Sequence, residues 1–345
     1  MRAAVLRGGE IVVRDDVAEP RPGTGQALVG VKACGICGSD LHFVRHGAEM
    51  LALAEEMEGL PELGVPAVDL DRDVHMGHEF CGEVLELGPD TAGPAPGTIV
   101  TSVPVLVTSA GIRPIAYGND VMGGYGERML LTVPLLLEVP NGLDARHAAL
   151  TEPMAVGLHA VNRSGIEARD GALVLGCGPV GLAVIAALRL RGVDRVVAAD
   201  FSPARRQIAL GMGAQEAVDP REEAAFAAWA RAGGGRSLVV FEAIGVPGVI
   251  DDILRLAPMR TRVVVVGVCM QPDTVHPFFG IAKELSIRFC FGYDPAEFAA
   301  TLGHIAAGEL DVTPMLTGEV GLDGVAAAFE DLADPDRHCK VLVVP

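Results

Sequence analysis

The sequence predicts an α/β protein of two lobes, one rich in short strands and one built on a doubly wound parallel sheet. Three observations predict it. The chain has 345 residues, a length that suggests about two domains. Its first third reads as short strands divided by Gly and Pro, while the stretch after Asp170 alternates apolar strands with helical runs. Between a strand and a helix of that second stretch lies Gly176-Cys177-Gly178-Pro179-Val180-Gly181, a turn that lets backbone approach a pyrophosphate at a helix N-terminus.

Residues 3–6, 11–13 and 27–33 are the opening strands. After the third comes Cys34-Gly35-Ile36-Cys37-Gly38-Ser39-Asp40-Leu41-His42, on a loop and helix start. As a thiolate, Cys37 suits a soft or borderline metal. Asp40 can orient another ligand from behind, and Ser39 with His42 can pass a proton from a buried site to solvent. A second stretch, Gly77-His78-Glu79-Phe80, adds an imidazole and a carboxylate, and Thr151-Glu152-Pro153 adds another carboxylate. Cys, His and Glu plus one water make an open tetrahedral zinc site, the catalytic kind. A thioredoxin-type Cys-x-x-Cys would sit between strand and helix in a chain of roughly a hundred residues; Cys34 reads instead as a packed thiol.

Cys37 and His78 are 41 residues apart, and the interval holds an added segment at 46–74. Within it Met50, Leu53, Ala54 and Met57 fall on one helical face, opposite several Glu, with Gly59 and Pro61 as the stop. That face is expected to be buried, either against the β-rich lobe or as a lid over the substrate cleft. Strands follow at 83–87 and 98–103, then a loop at 104–124 that contains no cysteine, then strand 125–134 and a helix start at 143–150.

Beyond Asp170, strand 172–175 leads through the glycine turn into helix 182–191. Strand 195–199 ends in Asp200, 19 residues past Gly181. An acid there accepts from the ribose hydroxyls of NAD and repels a 2′-phosphate. Arg205 and Arg206 in the next helix read as facing solvent or stacking near adenine. Further strands at 217–219, 238–243 and 262–268 alternate with helices, the doubly wound Rossmann pattern. A last strand at 286–291 precedes Asp294-Pro295-Ala296-Glu297, a strong helix start, and residues 340–344 close the chain as a strand.

The formal net charge of −18 excludes nucleic acid and anionic membrane as partners, since both would repel such a surface. No apolar run approaches the roughly twenty residues of a membrane span. Seven cysteines without a disulfide-like framework suit a reducing cytosol, and the N-terminus has no signal-peptide core. A cytoplasmic protein is expected.

The Cys37 to His42 motif, Gly77-His78-Glu79-Phe80, the Glu152-Pro153-Met154-Ala155-Val156-Gly157 phrase and the glycine turn together resemble the zinc-dependent medium-chain dehydrogenases/reductases, particularly their polyol and secondary-alcohol branch. The resemblance implies a GroES-like β-rich catalytic domain over 1–153 and 291–345 and a Rossmann cofactor domain over 154–290. It implies zinc on Cys37, His78 and Glu152, with Glu79 substituting as a ligand or acting from behind the metal. Asp40 would orient His78, and Ser39 and His42 would carry the proton outward. Gly176, Gly178, Pro179, Val180, Gly181, Asp200 and Arg205 would hold NAD, and a basic residue at about Lys340 would reach its phosphates. Many relatives carry four cysteines for a structural zinc where 104–124 stands here, so one catalytic zinc per subunit and no structural zinc is expected. Relatives pair through the cofactor-domain sheet edge, which points to 274–291 and a homodimer or homotetramer. The implied substrate is a small alcohol or ketone. A zinc-free enone or quinone reductase and a non-catalytic binding protein on the same scaffold are the other readings; the intact ligand set, relay and glycine turn stand against both.

Overall fold

The ten-residue strand Gln26–Gly35 positions the metal-ligand stretch, because three other segments are registered against it. Its alternating small and branched apolar residues are buried along most of their length, as a central strand requires. Glu79–Leu87 pairs antiparallel along it, placing Glu79 opposite Gly35 and Phe80 opposite Cys34. Arg128–Thr132 pairs with its first half, and the C-terminal Lys340–Val343 pairs with its end, Leu342 against Gly35. The chain's last strand therefore lies beside its first functional motif. Leu136–Glu138, Ile99–Ser102 and Leu316–Val320 complete a seven-stranded sheet among the described residues. This computed structural model describes residues 1–56, 68–232 and 235–345.

A smaller sheet of Glu10–Arg14, Ala3–Arg7 and Val74–His75 holds the segment leading to His78. The stretch expected as a loop at 104–124 contains a hairpin, Val105–Thr108 with Gly111–Pro114. The metal-ligand motif and the added segment share one helix, Gly38–Glu56, bent at His46 where φ is −133° and ψ 24°. Its inward residues differ from the expected stripe. Met50 and Leu51 pack on the lobe's core while Leu53 is 40% exposed, because the bend at His46 shifts the helical phase. Met57, Gly59 and Pro61 lie outside the described residues.

The second sheet is parallel throughout, in the order Glu216–Val218, Val196–Ala199, Gly171–Leu175, Leu238–Glu242, Arg262–Val265, Ser286–Phe289. Its inner strands Gly171–Leu175 and Leu238–Glu242 are fully buried, and helices cover its faces, the doubly wound arrangement. Helix Thr151–Ser164, which starts beside Glu152, lies against helix Pro179–Leu190 of the glycine turn. A Cβ on Gly157 would stand 2.4 Å from the Ala183 carbonyl carbon, so this close crossing needs glycine. One apolar cluster runs from Ala33 and Cys81 through Leu150 and Met154 to Leu182 and Ile185, joining the two sheets' surroundings. Among the described residues no helix is long and apolar enough to cross a membrane.

Candidate active site

Cys37 follows the end of strand Gln26–Gly35 and opens helix Gly38–Glu56, its carbonyl accepting from the Asp40 and Leu41 amides. Asp40, in the first helical turn where an acid is favoured, turns back so that its Oδ2 accepts the Cys37 N–H at 3.0 Å. This local loop aims the thiol inward. The donor atoms of Cys37, His78 and Glu79 lie within 4.8 Å of one another. Glu152 stands outside that cluster but close enough for its charge to act on His78. Behind the histidine, His78 Nδ1 is 3.6 Å from Asp40 Oδ1.

Charge dominates the pocket. Burial alone would lower the His78 pKa, yet Asp40, Cys37 and Glu152 together push it well above the usual imidazole range. Burial pushes the Glu152 carboxyl up to about 7, opposed by His78. Asp40 is raised as well, chiefly by burial. Ser39 is half-buried at the mouth and His42 is exposed one turn further along the helix; burial, then His46 and Arg45, lower the His42 pKa.

Lys340 corrects an expectation. Its side chain is fully buried, and its ammonium donates to Glu79 Oε1 and Oε2 at 2.7 and 2.8 Å and to the Ile36 carbonyl at 2.9 Å. Held there, it cannot serve cofactor phosphates. The register that sets Gly35 between Glu79 and Leu342 draws the lysine into the ligand cluster. Glu79 is correspondingly tied back, and Gly35 leaves it room: a Cβ there would lie 1.9 Å from Glu79 Oε2.

The second site is made of backbone. Gly176 has φ +91°, and a Cβ on Gly181 would meet the Gly176 carbonyl oxygen at 1.9 Å. Gly178 precedes helix Pro179–Leu190 with Pro at its first turn. Gly178, Pro179 and Val180 are half-buried, leaving the helix N-terminus accessible to an anion. Asp200 Oδ2 accepts the Cys177 N–H at 2.7 Å and its Oδ1 accepts the Ser202 N–H at 2.8 Å. Neither arginine faces solvent as expected. Arg206 binds the Asp200 and Phe201 carbonyls and Asp219. Arg205 reaches the turn, one guanidinium nitrogen lying 3.9 Å from where a Gly178 Cβ would be, and its buried Nε has no partner.

Comparison with known proteins agrees with this pairing of sites. Residues 23–141 match the family model of the alcohol dehydrogenase GroES-like domain, and residues 179–307 match that of the zinc-binding dehydrogenases. The (R,R)-butanediol dehydrogenase of Bacillus subtilis (strain 168) is 31% identical over the whole of both chains. This chain is a zinc-dependent medium-chain alcohol/polyol dehydrogenase family member. The L-galactonate-5-dehydrogenase of Escherichia coli (strain K12) is 31% identical over 90% of this chain and 89% of its own. Among solved structures, 2R,3R-butanediol dehydrogenase from Bacillus subtilis superposes with a TM-score of 0.84 at 30% identity, covering 100% of this chain and 99% of that one. A zinc-binding dehydrogenase from Sinorhizobium meliloti 1021 bound to NADP gives 0.83 at 30%, with the same coverage.

In this dehydrogenase the donor set fits a zinc ion. A thiol, an imidazole and carboxylates converge in a buried pocket whose acids outnumber its one ammonium, and the histidine's outer nitrogen faces a carboxylate, as metal-bound imidazoles commonly do. Sequence reasoning missed the tyrosines. The chain has three, and all border this pocket: Tyr125 donates to Asp40 at 2.6 Å, Tyr117 lies edge-on to His78 with ring centroids 6.4 Å apart, and Tyr293 bonds Glu152. No motif marks them. Their scarcity was the available signal.

Proposed function

We propose that this dehydrogenase oxidises secondary alcohols, with vicinal diols and polyols as the preferred class, using NAD and one zinc per subunit. The observation that carries the reading is the buried convergence of Cys37 and His78, with Asp40 behind the imidazole. Cys37, His78 and Glu152 would hold the zinc. Glu152 is preferred to Glu79 as third ligand because Lys340 occupies both oxygens of Glu79, whereas Glu152 has a single tyrosine partner. Bound zinc supplies a Lewis acid that eases loss of the alcohol proton, and bound NAD supplies the hydride acceptor. Ser39 accepts that proton and His42, three residues along the same helical face, delivers it to solvent. The glycine turn and Arg205 hold the pyrophosphate, and Asp200 accepts from the adenosine ribose and disfavours NADP.

The absence of cysteine from residues 104–124 supports a single zinc. A diol preference draws on the butanediol dehydrogenases among the relatives. The edge strand Ser286–Phe289 and the helix Pro277–Ala282 leave Phe278, Ile281, Phe289 and Phe291 71–83% exposed, and such an unprotected apolar edge supports pairing with a second copy. An NAD-linked screen of 2,3-butanediol, sugar alcohols and cyclohexanol tests the reading. Fastest turnover is expected with the vicinal diol; no NAD reduction with any of them would overturn it.

A further inference from the structure

The fully buried carboxylate of Asp40 has an uneven set of partners. Its Oδ2 accepts the Tyr125 hydroxyl at 2.6 Å and the Cys37 N–H at 3.0 Å. Its Oδ1 has no partner, and two further buried polar atoms nearby have none either, His78 Nδ1 and the Tyr117 hydroxyl. Buried polar groups left unpaired are rare and unfavourable, so three gathered around one carboxylate call for a common explanation. The Tyr117 ring is stacked on Phe43 at 4.0 Å with the planes 1° apart, which fixes its direction, and its hydroxyl faces Ser39 and Asp40. His78 Nδ1 is 3.6 Å from Asp40 Oδ1, beyond hydrogen-bond range by a few tenths of an ångström. One carboxylate oxygen accepts two donors, and the two donors in reach are this imidazole and this phenol.

We propose that Tyr125 and Tyr117 are positioning residues of the metal site, clamping Asp40 from both sides so that it holds His78 by Nδ1 and leaves Nε2 to the ion. Tyr125 fixes one oxygen, so the carboxylate cannot turn. Tyr117 shares the other with His78, which sets the imidazole's tautomer. Both phenols keep their protons at neutral pH and act as donors only. The clamp rests on the zinc reading above, and its effect falls on metal affinity rather than on the substrate.

The test is zinc affinity of the full chain, measured by competition with a chromogenic chelator. Groups that orient a metal ligand typically contribute 10–100-fold in affinity. Tyr125→Phe is expected to weaken zinc about tenfold and Tyr117→Phe by a few-fold, with NAD affinity unchanged. Asp40→Asn should weaken it by up to about a hundredfold, and adding Tyr125→Phe to Asp40→Asn should change nothing more. A Tyr125→Phe protein that folds and binds zinc within twofold of the unmodified chain overturns the clamp. So does the same tenfold loss on both backgrounds, which marks a general structural effect. If Tyr125→Phe does not fold, Tyr117→Phe decides alone: a threefold or larger loss supports the clamp and unchanged affinity overturns it. An unmodified chain that takes up no zinc defeats the zinc reading and the clamp together, an outcome distinct from the others.

Discussion

The metal pocket and the cofactor turn are built from opposite materials. In the pocket, charged side chains are buried and each depends on a partner: Lys340 on Glu79, Asp40 on Tyr125 and the Cys37 amide. In the turn, recognition belongs to backbone, and what matters is the lack of a side chain at Gly176 and Gly181. The difference teaches where each site is fragile. Removing an atom damages the pocket, because desolvated charges are left unpaired. Adding an atom damages the turn, because its carbonyls already fill the space.

The largest expected effect is Cys37→Ala, which should remove zinc and abolish turnover while NAD still binds; metal analysis with NAD titration checks both halves. Loss of NAD binding alongside zinc would break the separation of the two sites. Next is Lys340→Met. It touches no substrate in this account, but it strands Glu79, and breaking a buried pair typically destabilises by about 3–5 kcal/mol. Urea denaturation should show that loss, and a change below about 1 kcal/mol would mean that Glu79 finds another partner or a proton.

Gly181→Ala should act in the opposite manner. The added methyl would stand 1.9 Å from the Gly176 carbonyl oxygen, so the turn must open, and NAD affinity should fall at least about tenfold, or roughly 1.4 kcal/mol, with zinc content intact. Fluorescence titration of NADH measures it. Smallest is Asp200→Ala. The unmodified enzyme should prefer NAD over NADP by at least about tenfold in kcat/KM, and the variant should lose most of that preference through the KM for NAD. Because Arg205 already faces the turn, comparable use of both cofactors by the unmodified enzyme would make the arginine, not the carboxylate, the discriminator.

Much of this was legible in the sequence, for a physical reason. The glycine turn is a local structure whose residues are contiguous, and Cys37, His78 and Glu152 are chemically scarce types in distinctive phrases. The parallel sheet followed from apolar runs at regular spacing. What escaped was long-range register. Nothing local to Lys340 says that its strand ends against Gly35, so the lysine was read as a phosphate ligand rather than as the partner of Glu79. The same holds for Tyr117 and Tyr125, which come from the segment around a hairpin read as a bare loop. The bend at His46 also escaped, and it moved the inward face from Leu53 to Leu51.

The account's central claim is that a zinc ion in the Cys37–His78 pocket serves alcohol oxidation by NAD. Its most direct test is the rate of NAD reduction by 2,3-butanediol before chelation, after zinc is removed, and after zinc is restored. The account predicts activity that vanishes with the metal and returns at one zinc per subunit; full activity in the metal-free protein would contradict it.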